Sequence, residues 1–411
     1  MFTYYNNVRE VLEMNVYTTE KIRNVVLLGH SGCGKTSLVE AMAYLAGQTT
    51  RMGTVADGST ISDFDKEEIK RQFSIHTSVI PIEWDNVKIN ILDTPGFFDF
   101  VGEVEEAVSA ADAAIIVVSG KAGIQTGTKR AWEICEKYKL PRMIFVTDMD
   151  IDNASFKDVV LKLQELYGKK IAPFHLPIRE NEKFVGYVNV IQQRAKRWNE
   201  SGGVDKFDVP EYSKENLGMK YLPSPEKRSC TGINTKTNEV YNADYDFAKS
   251  KSAYVFKSIV DPYIGKYSLI KVNSGVLKTD DVLYNYHRDC DEKIGKLYVM
   301  RGSKVEEVKE LHAGDIGALA KLTKTLTTDS LSTRNMPVTY LRTSISKPYV
   351  AMRYKAKKKG DEDKISQSLQ KLLMEDLTLN SVNDSENGQT VLYGIGDMQL
   401  EVVASELLEK Y

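Results

Sequence analysis

Apolar positions in the first two hundred residues form short continuous runs that alternate with segments of helical spacing. Residues 24–28 (NVVLL) are one such run, which stops at Gly29. After a Gly-rich turn, apolar side chains recur three and four residues apart, at Leu38, Val39, Met42 and Leu45. Further strands are predicted at HTSVIPIEW, VKINILDTP, AAIIVVSG and RMIFVTD. Strands that alternate with helices predict a mostly parallel sheet with crossover helices on its faces.

The pattern changes twice further along the chain. From about Ser252, short strand-like segments recur roughly every ten residues with turns between them, which is typical of an all-β barrel or sandwich. From Val338, two strands, an amphipathic helix, a strand and a final helix predict a small α+β sandwich. We therefore expect an N-terminal extension over residues 1–13, an α/β domain over 14–225, a β-barrel over 226–335 and an α+β domain over 336–411.

Composition limits the functions that these domains can serve. Hydrophobic residues at 42% and charged residues at 27% are near globular averages and exclude a wholly disordered or fibrous chain. The 55 Lys+Arg and 57 Asp+Glu give a net charge of -2, so any contact with RNA has to come from a local patch. No apolar run has the length of a membrane span. The cysteines show no CxxC spacing, which predicts a reducing cytoplasm and no zinc site: Cys33, Cys135, Cys230 and Cys290.

The Gly-rich turn matches the phosphate-loop pattern G-x-x-x-x-G-K-[ST]. Its glycines let successive backbone N–H groups turn toward one centre, Lys35 brings a charge to the β and γ phosphates, and the Thr36 hydroxyl reaches Mg²⁺. The strand before it and the helix after it argue against a chance match. The predicted nucleotide contacts are Gly29, His30, Ser31, Gly32, Cys33, Gly34, Lys35, Thr36 and Ser37.

A second motif, DTPG, directly follows the strand KINIL. Asp93, at the strand end, can hold the Mg²⁺ shell, and Gly96 leaves its N–H free to approach a γ-phosphate. Alone, DTPG is a common turn. Some sixty residues after a phosphate loop, it supports a nucleotide site.

Three segments in order resemble the domains of translation elongation factor G. GHSGCGKTSLVEAM, DFDKEEIKRQFSI and INILDTPGFFDFVGEVEEAV resemble its GTPase domain. KYLPSP and FKSIVDPYIGKYSLIKVNSGVLKTDDVLYN resemble its barrel, and EDKISQSLQKLLMEDLTL with GQTVLYGIGDMQLEVV resembles its third domain. The resemblance covers nearly all of residues 14–411.

The resemblance implies an α/β fold: a P-loop GTPase domain followed by a translation-factor β-barrel and a ferredoxin-like α+β domain. It implies GTP or GDP as ligand and Mg²⁺ held by Thr36, Ser74 and Asp93. It also implies a cytoplasmic monomer whose partner is the ribosome, through ribosomal RNA and proteins at the factor-binding site, with no membrane or DNA partner.

Two departures concern hydrolysis. The family's first-switch run R-G-I-T/S reads Arg71-Gln72-Phe73-Ser74 here, so Ser74 still offers a hydroxyl to Mg²⁺. The family's catalytic His after DTPG, which positions the attacking water, is Phe97 here. A phenyl ring neither accepts nor donates a hydrogen bond, so we expect impaired hydrolysis. The alternative that we favour over any catalytic role is that Phe97 packs on the switch.

A third departure lies in the guanine-reading motif NKxD, which should follow the strand MIFV. The chain reads Thr147-Asp148-Met149-Asp150. Asp150 can make the bidentate bond that reads guanine, but the Asn amide is lost and Asp148 replaces a Lys whose stem covers the base. Guanine specificity is therefore weakened. Alternatively, Asp148 and Asp150 are solvated strand-end carboxylates.

The chain is also shorter than the family pattern. Only residues 199–219 stand between Trp198 and the KYLPSP segment, where the family has a long helical insert and a further strand. The family's fourth and fifth domains have no counterpart before residue 411, so we expect ribosome binding without translocation. Three hypotheses stay open: a Mg²⁺-dependent GTPase, a degenerate module that binds nucleotide without hydrolysing it, and a fragment with no independent role.

Overall fold

The structure is a computed structural model that describes residues 15–180, 183–190, 194–198, 204–208, 230–261, 265–356, 360–384 and 389–409. The predicted N-terminal extension and the domain boundary at residue 225 lie outside these ranges. No helix among the described residues is long and apolar enough to cross a membrane.

A five-stranded sheet with flanking helices forms the first domain, as the alternating pattern predicted. Its elements, in chain order, are β1 (Ile22–Gly29), α1 (Lys35–Leu45), α2 (Lys66–Arg71), β2 (Ser78–Trp84), β3 (Val87–Asp93), α3 (Val101–Ala110), β4 (Ala113–Ser119), α4 (Thr126–Lys137), β5 (Arg142–Thr147) and α5 (Phe156–Tyr167). The strand order is β2-β3-β1-β4-β5, and every pair is parallel except β2 with β3.

The register of this sheet brings the predicted site segments to one edge. Leu27 on β1 is level with Asp93 at the end of β3, and Gly29 is level with Val117 on β4. Ser119, at the end of β4, is level with Thr147, at the end of β5. Since parallel strands end at a common edge, the loops after β1, β3 and β5 meet there.

Residues 175–208 form a separate antiparallel sheet, whereas the sequence interpretation placed them in the mostly parallel domain. Its strands are β6 (His175–Glu180), β7 (Lys183–Asn189), β8 (Arg194–Trp198) and β9 (Val204–Asp208), paired in chain order. Ile178, Val188 and Ala195 form its small core. Short strands with connections too short for a crossover helix can pair only as antiparallel neighbours.

The predicted barrel is built around an eight-stranded sheet of order β16-β15-β21-β12-β13-β20-β17-β18. The strands are β10 (Thr231–Asn234), β11 (Glu239–Asn242), β12 (Ser252–Asp261), β13 (Gly265–Ser274), β14 (Val276–Lys278), β15 (Val282–Asn285), β16 (Cys290–Lys293), β17 (Leu297–Arg301), β18 (Lys304–Val308), β19 (Glu310–His312), β20 (Ile316–Ala320), β21 (Ser330–Ser332) and β22 (Val338–Thr339). β22, which we expected to open the third domain, pairs with β10.

The third domain packs two helices on one face of a three-stranded antiparallel sheet, which confirms the predicted α+β layers. Its elements are β23 (Val350–Tyr354), α6 (Glu362–Glu375), β24 (Asn380–Asp384), β25 (Gln389–Gly394) and α7 (Asp397–Glu409), with the strand order β23-β25-β24. Leu369 and Leu372 of α6 meet Leu392 of β25 and Leu400 and Val403 of α7 in the core.

A buried ion pair joins the barrel to the first domain beside the third. Lys257 Nζ, on β12, lies 2.5 Å from each carboxylate oxygen of Glu103 and 3.6 Å from Glu106 Oε2, both on α3. All three side chains are buried. Burial opposes the charge, but the two glutamates hold the pKa of Lys257 above its usual value. Nearby, the Val260 backbone N–H donates to Glu375 of α6 at 2.5 Å.

Removing the cation from this pair should destabilise the protein strongly. Lys257→Ala leaves Glu103 and Glu106 buried without their shared cation, which typically costs about 3–5 kcal/mol. Lys296→Ala, which breaks an exposed pair with Glu307, is the control and should have little effect. The measurement is the free energy of the first unfolding transition in urea. If the two substitutions lowered the free energy of unfolding equally, the buried ion pair of Lys257 would not make the large contribution expected here.

Candidate functional site

The loop after β1 turns tightly enough for its backbone to line a concave site. Gly34 has φ 88°, in the left-handed region, and directly precedes the first residue of α1. A Cβ at this position would also lie 3.1 Å from Thr147 Cγ2. Glycine is therefore favoured by the left-handed turn, and a Cβ here would crowd the Thr147 side chain. The loop ends at a helix N-terminus, where backbone N–H groups favour an anion.

Lys35 lies across this loop and faces the DTPG segment. Its buried ammonium group donates to the carbonyl oxygens of His30 at 3.0 Å and Gly29 at 3.3 Å. A Cβ at Gly96 would stand 2.7 Å from Lys35 Nζ and 2.6 Å from the Ser31 backbone nitrogen. Only glycine fits at residue 96, so the two motifs predicted from sequence do come together around one ammonium group.

Side-chain oxygen atoms of three residues lie near Lys35. The Thr36 and Ser74 hydroxyls are 3.1 Å apart. Both carboxylate oxygens of Asp93 are buried and, among the described residues, have no hydrogen bond of standard geometry. Burial and the neighbouring carboxylate of Asp63 together raise the pKa of Asp93 to about 7, against the lowering effect of Lys35. Hard oxygen donors beside an uncompensated buried carboxylate fit Mg²⁺.

Asp63 is a site residue that the sequence interpretation missed. Its side chain is buried, one oxygen has no hydrogen bond of standard geometry in the described structure, and burial raises its pKa. In the sequence it stands two residues before Asp65, whose role as the N-cap of α2 accounts for a polar turn there. Only the fold of the segment shows that Asp63 lies near Asp93.

The loop after β5 contacts the phosphate loop through Thr147. The Thr147 hydroxyl donates to the Cys33 carbonyl oxygen at 2.8 Å, and so connects the predicted base-reading segment to the loop. Asp148 has φ 55° and accepts a hydrogen bond from the Ser119 hydroxyl. Asp150 is exposed. Thr147, Asp148 and Asp150 therefore do not converge on a single point.

The Phe97 ring packs in an apolar cluster. It is half-buried, and its centroid lies 4.6 Å from that of Phe73 with a 58° tilt between the planes. Phe100, Ile75, Val402 and Met398 belong to the same cluster. The ring connects the segment after DTPG to the segment before Ser74 and to α7, and it brings no polar atom to the site.

Helix α7 contacts two segments near the phosphate loop, the one after DTPG and helix α2. Asp99, just after DTPG, accepts from the Met398 backbone N–H at 3.1 Å, in the first turn of the helix. Ser405 donates to Glu67 of α2 at 2.8 Å, and His76 Nε2 is 3.6 Å from Glu406. Both segments are therefore in direct contact with the third domain.

Together, a phosphate loop, a strand-end Asp and a hydroxyl pair beside it are the features of the P-loop class of folds, here with an appended barrel and α+β domain. The sequence matches the elongation factor Tu GTP binding domain over residues 20–336 and Elongation Factor G, domain III, over residues 345–411. The chain belongs to this family of translational GTPases and is of the elongation factor G type.

Known relatives extend beyond the matched region. Elongation factor G of Chlamydia caviae is 28% identical over 469 aligned residues, which cover 96% of this chain and 68% of the relative. A crystal structure of a protein from Thermus thermophilus matches with a TM-score of 0.82 and 28% identity, over 95% of this chain and 66% of that one. The chain thus spans about two thirds of the length of either protein.

The contact between α2 and α7 should depend on pH through Glu67. Burial opposes ionisation, but hydrogen bonds from Arg71, Ser405 and Lys70 hold the pKa of Glu67 at about 2, below its usual 4.5. A carboxyl whose folded pKa is lowered stabilises the fold above the unfolded pKa and loses that effect as the pH falls through the folded pKa.

We therefore expect Glu67→Gln to cost about 1.5–3 kcal/mol at neutral pH, as typical for hydrogen bonds to charged groups. The difference in the free energy of unfolding between Glu67→Gln and wild type should shrink as the pH falls from 4.5 toward 2. Urea unfolding across this range measures it. Glu401→Gln, at an exposed carboxylate 4.0 Å from Arg71, should change little. A difference that is constant with pH would contradict the assignment.

Proposed function

We propose that this chain binds GTP or GDP with Mg²⁺ at the edge of the first sheet and acts as a translation factor at the ribosomal factor-binding site. The observation that carries the proposal is the buried Asp93 carboxylate beside the Thr36–Ser74 hydroxyl pair and Lys35. When bound, Mg²⁺ neutralises phosphate charge. Thr36, Ser74 and Asp93 would hold it, and Lys35 would bind the phosphates. The family match supports the guanine nucleotide, the ribosome and the cytoplasm.

Guanine recognition rests on fewer contacts than the family motif provides. Asp150 is exposed at the loop after β5, where it can accept from the base edge, while Asp148 already accepts from Ser119. Thr147 supports the loop by its bond to Cys33 rather than contacting the base. We infer a preference for guanine that is weaker than the complete motif would give.

Hydrolysis is proposed to be slow. The group that follows DTPG must orient a water molecule, and Phe97 instead packs on Phe73. The second candidate function, a switch that binds nucleotide and occupies the ribosomal site without hydrolysis or translocation, is favoured by this same contact. The two candidates differ only in the rate of the chemical step.

Nucleotide affinity should depend on Lys35. Lys35→Ala removes the charge that binds the β and γ phosphates, and we expect affinity to fall at least about tenfold. Titration with fluorescent GDP, GTP and ADP analogues, with and without Mg²⁺, measures the loss and the base preference. Lys129→Ala, at an exposed lysine of α4, is the control. Unchanged affinity in the Lys35 variant would place the nucleotide elsewhere.

Restoring an orienting group should raise the rate of hydrolysis without changing affinity. General acid–base groups contribute about 10²–10⁴-fold, so Phe97→His should speed phosphate release by at least about tenfold if the geometry is only partly suited. Single-turnover phosphate release with ribosomes measures the rate. Phe247→His is matched in chemistry at a 59% exposed ring of the barrel and should have no effect. Rapid wild-type turnover would show that another residue positions the water.

A further inference from the structure

A row of aromatic rings crosses the β6–β9 sheet on one face. Strand alternation and pairing put His175 of β6, Tyr187 of β7 and Lys196 and Trp198 of β8 on this face. Phe184 joins them because a bulge in β7 places it opposite Arg179. The apolar core of the sheet lies on the other face. These rings are therefore not needed to cover that core.

The rings form a continuous chain and are not stacked on one another. Phe174 is 4.7 Å from His175, and His175 is 4.9 Å from Tyr187 at 87°. Trp198 lies 6.2 Å from Tyr187 and 4.9 Å from Phe184, with tilts of 56° and 68°. By contrast, Trp132 and Tyr167 elsewhere in the chain stack at 12° and cover each other. Trp198 is 41% exposed, so solvent reaches it at the end of the row.

Two cationic residues of β8, Lys196 and Arg194, share the face of the rings. Lys196 Nζ is 5.8 Å from the Tyr187 ring, and Arg194 is an exposed neighbour on the same face, level with Asp208 in the register. Glu180 and Asp205 stand at the alternate positions, and Glu180 pairs with Arg197 at 2.5 Å. Burial and the neighbouring Lys196 lower the pKa of His175.

From this juxtaposition we propose that the β6–β9 sheet is a binding surface for single-stranded RNA, on which unpaired bases stack against the rings of Tyr187 and Trp198 while Lys196 and Arg194 contact phosphates. A four-stranded sheet with surface aromatics and neighbouring cations suits unpaired bases. A duplex would keep its bases stacked on each other. The surface lies outside the nucleotide site and goes beyond the function proposed above.

The proposal is tested by separating the stacking of bases on the two rings from attraction between charges. Fluorescence anisotropy of a short fluorescein-labelled oligouridylate with the full chain gives the affinity, and a blunt RNA duplex of equal length is the comparison. Removing both rings (Tyr187→Leu with Trp198→Leu) should weaken oligouridylate binding by at least about tenfold. Lys196→Gln should weaken it and lower its dependence on salt.

Matched controls separate this surface from the rest of the molecule. Trp84→Leu removes a 56% exposed Trp on β2 and should leave RNA binding unchanged. Lys35→Ala should weaken nucleotide but not RNA, which separates failure of this proposal from failure of the nucleotide site. Retained GTP-analogue binding shows that the double variant is folded. If the double variant does not fold, the single variants Trp198→Tyr and Tyr187→Phe take its place. Each keeps an aromatic ring and should retain RNA affinity.

Three results would overturn the proposal: no binding of oligouridylate, equal binding of the duplex, or ring variants that bind as wild type. The last result, together with a loss in Lys196→Gln, would indicate general phosphate attraction. Binding of an aromatic or proline-rich peptide at this face in place of RNA would assign it to a protein partner and also overturn the proposal.

Discussion

Lys257 extends from the barrel between two glutamates of the first domain, and the third domain closes over the same place. Burial disfavours every charge in this group, so each one depends on its partners. Glu103 accepts from Lys257 and from the Thr77 backbone N–H, and its Oε1 lies 3.4 Å from His76 Nδ1. His76 also reaches Glu406 of α7. One buried cation therefore fixes the positions of elements from all three domains.

Contacts next to this ion pair also hold the segment that carries Ser74. Glu68 of α2 accepts from the backbone N–H groups of Ile75 at 2.9 Å and His76 at 3.0 Å, which holds the chain just after Ser74. Burial raises the pKa of Glu68 to about 7, and the nearby His76 opposes that rise. A cavity of about 370 Å³ adjoins these groups where the three domains meet. The oxygen cluster at Asp93 is thus supported by contacts that originate in the barrel and in α7.

The sequence predicted the parts of this site that carry a recognisable motif and missed those that do not. A phosphate loop is a run of eight residues, so its backbone geometry follows from glycines and a lysine at fixed spacing. Asp63 and Lys257 carry no such signal. Lys257 stands in AYVFKSIV, where a polar residue in a strand normally faces water, and only the packing of β12 on α3 shows its partner. The antiparallel β6–β9 sheet was missed because polar strands such as RAKRW give no apolar run.

Phe97 packs the segment after DTPG against its neighbours at the position where the family pattern has a His. A tilted aromatic pair such as Phe73 and Phe97 contributes about 0.5–1.5 kcal/mol beyond its area burial. An orienting base acts only in the transition state, where its loss corresponds to about 3–5 kcal/mol. Because the ring also contacts the cluster that includes Val402 of α7, it strengthens contact between the flanking segments and the third domain. Packing of this kind stabilises the ground state and does not by itself lower the barrier of a reaction, so the contribution of Phe97 that the structure shows lies in holding these elements together.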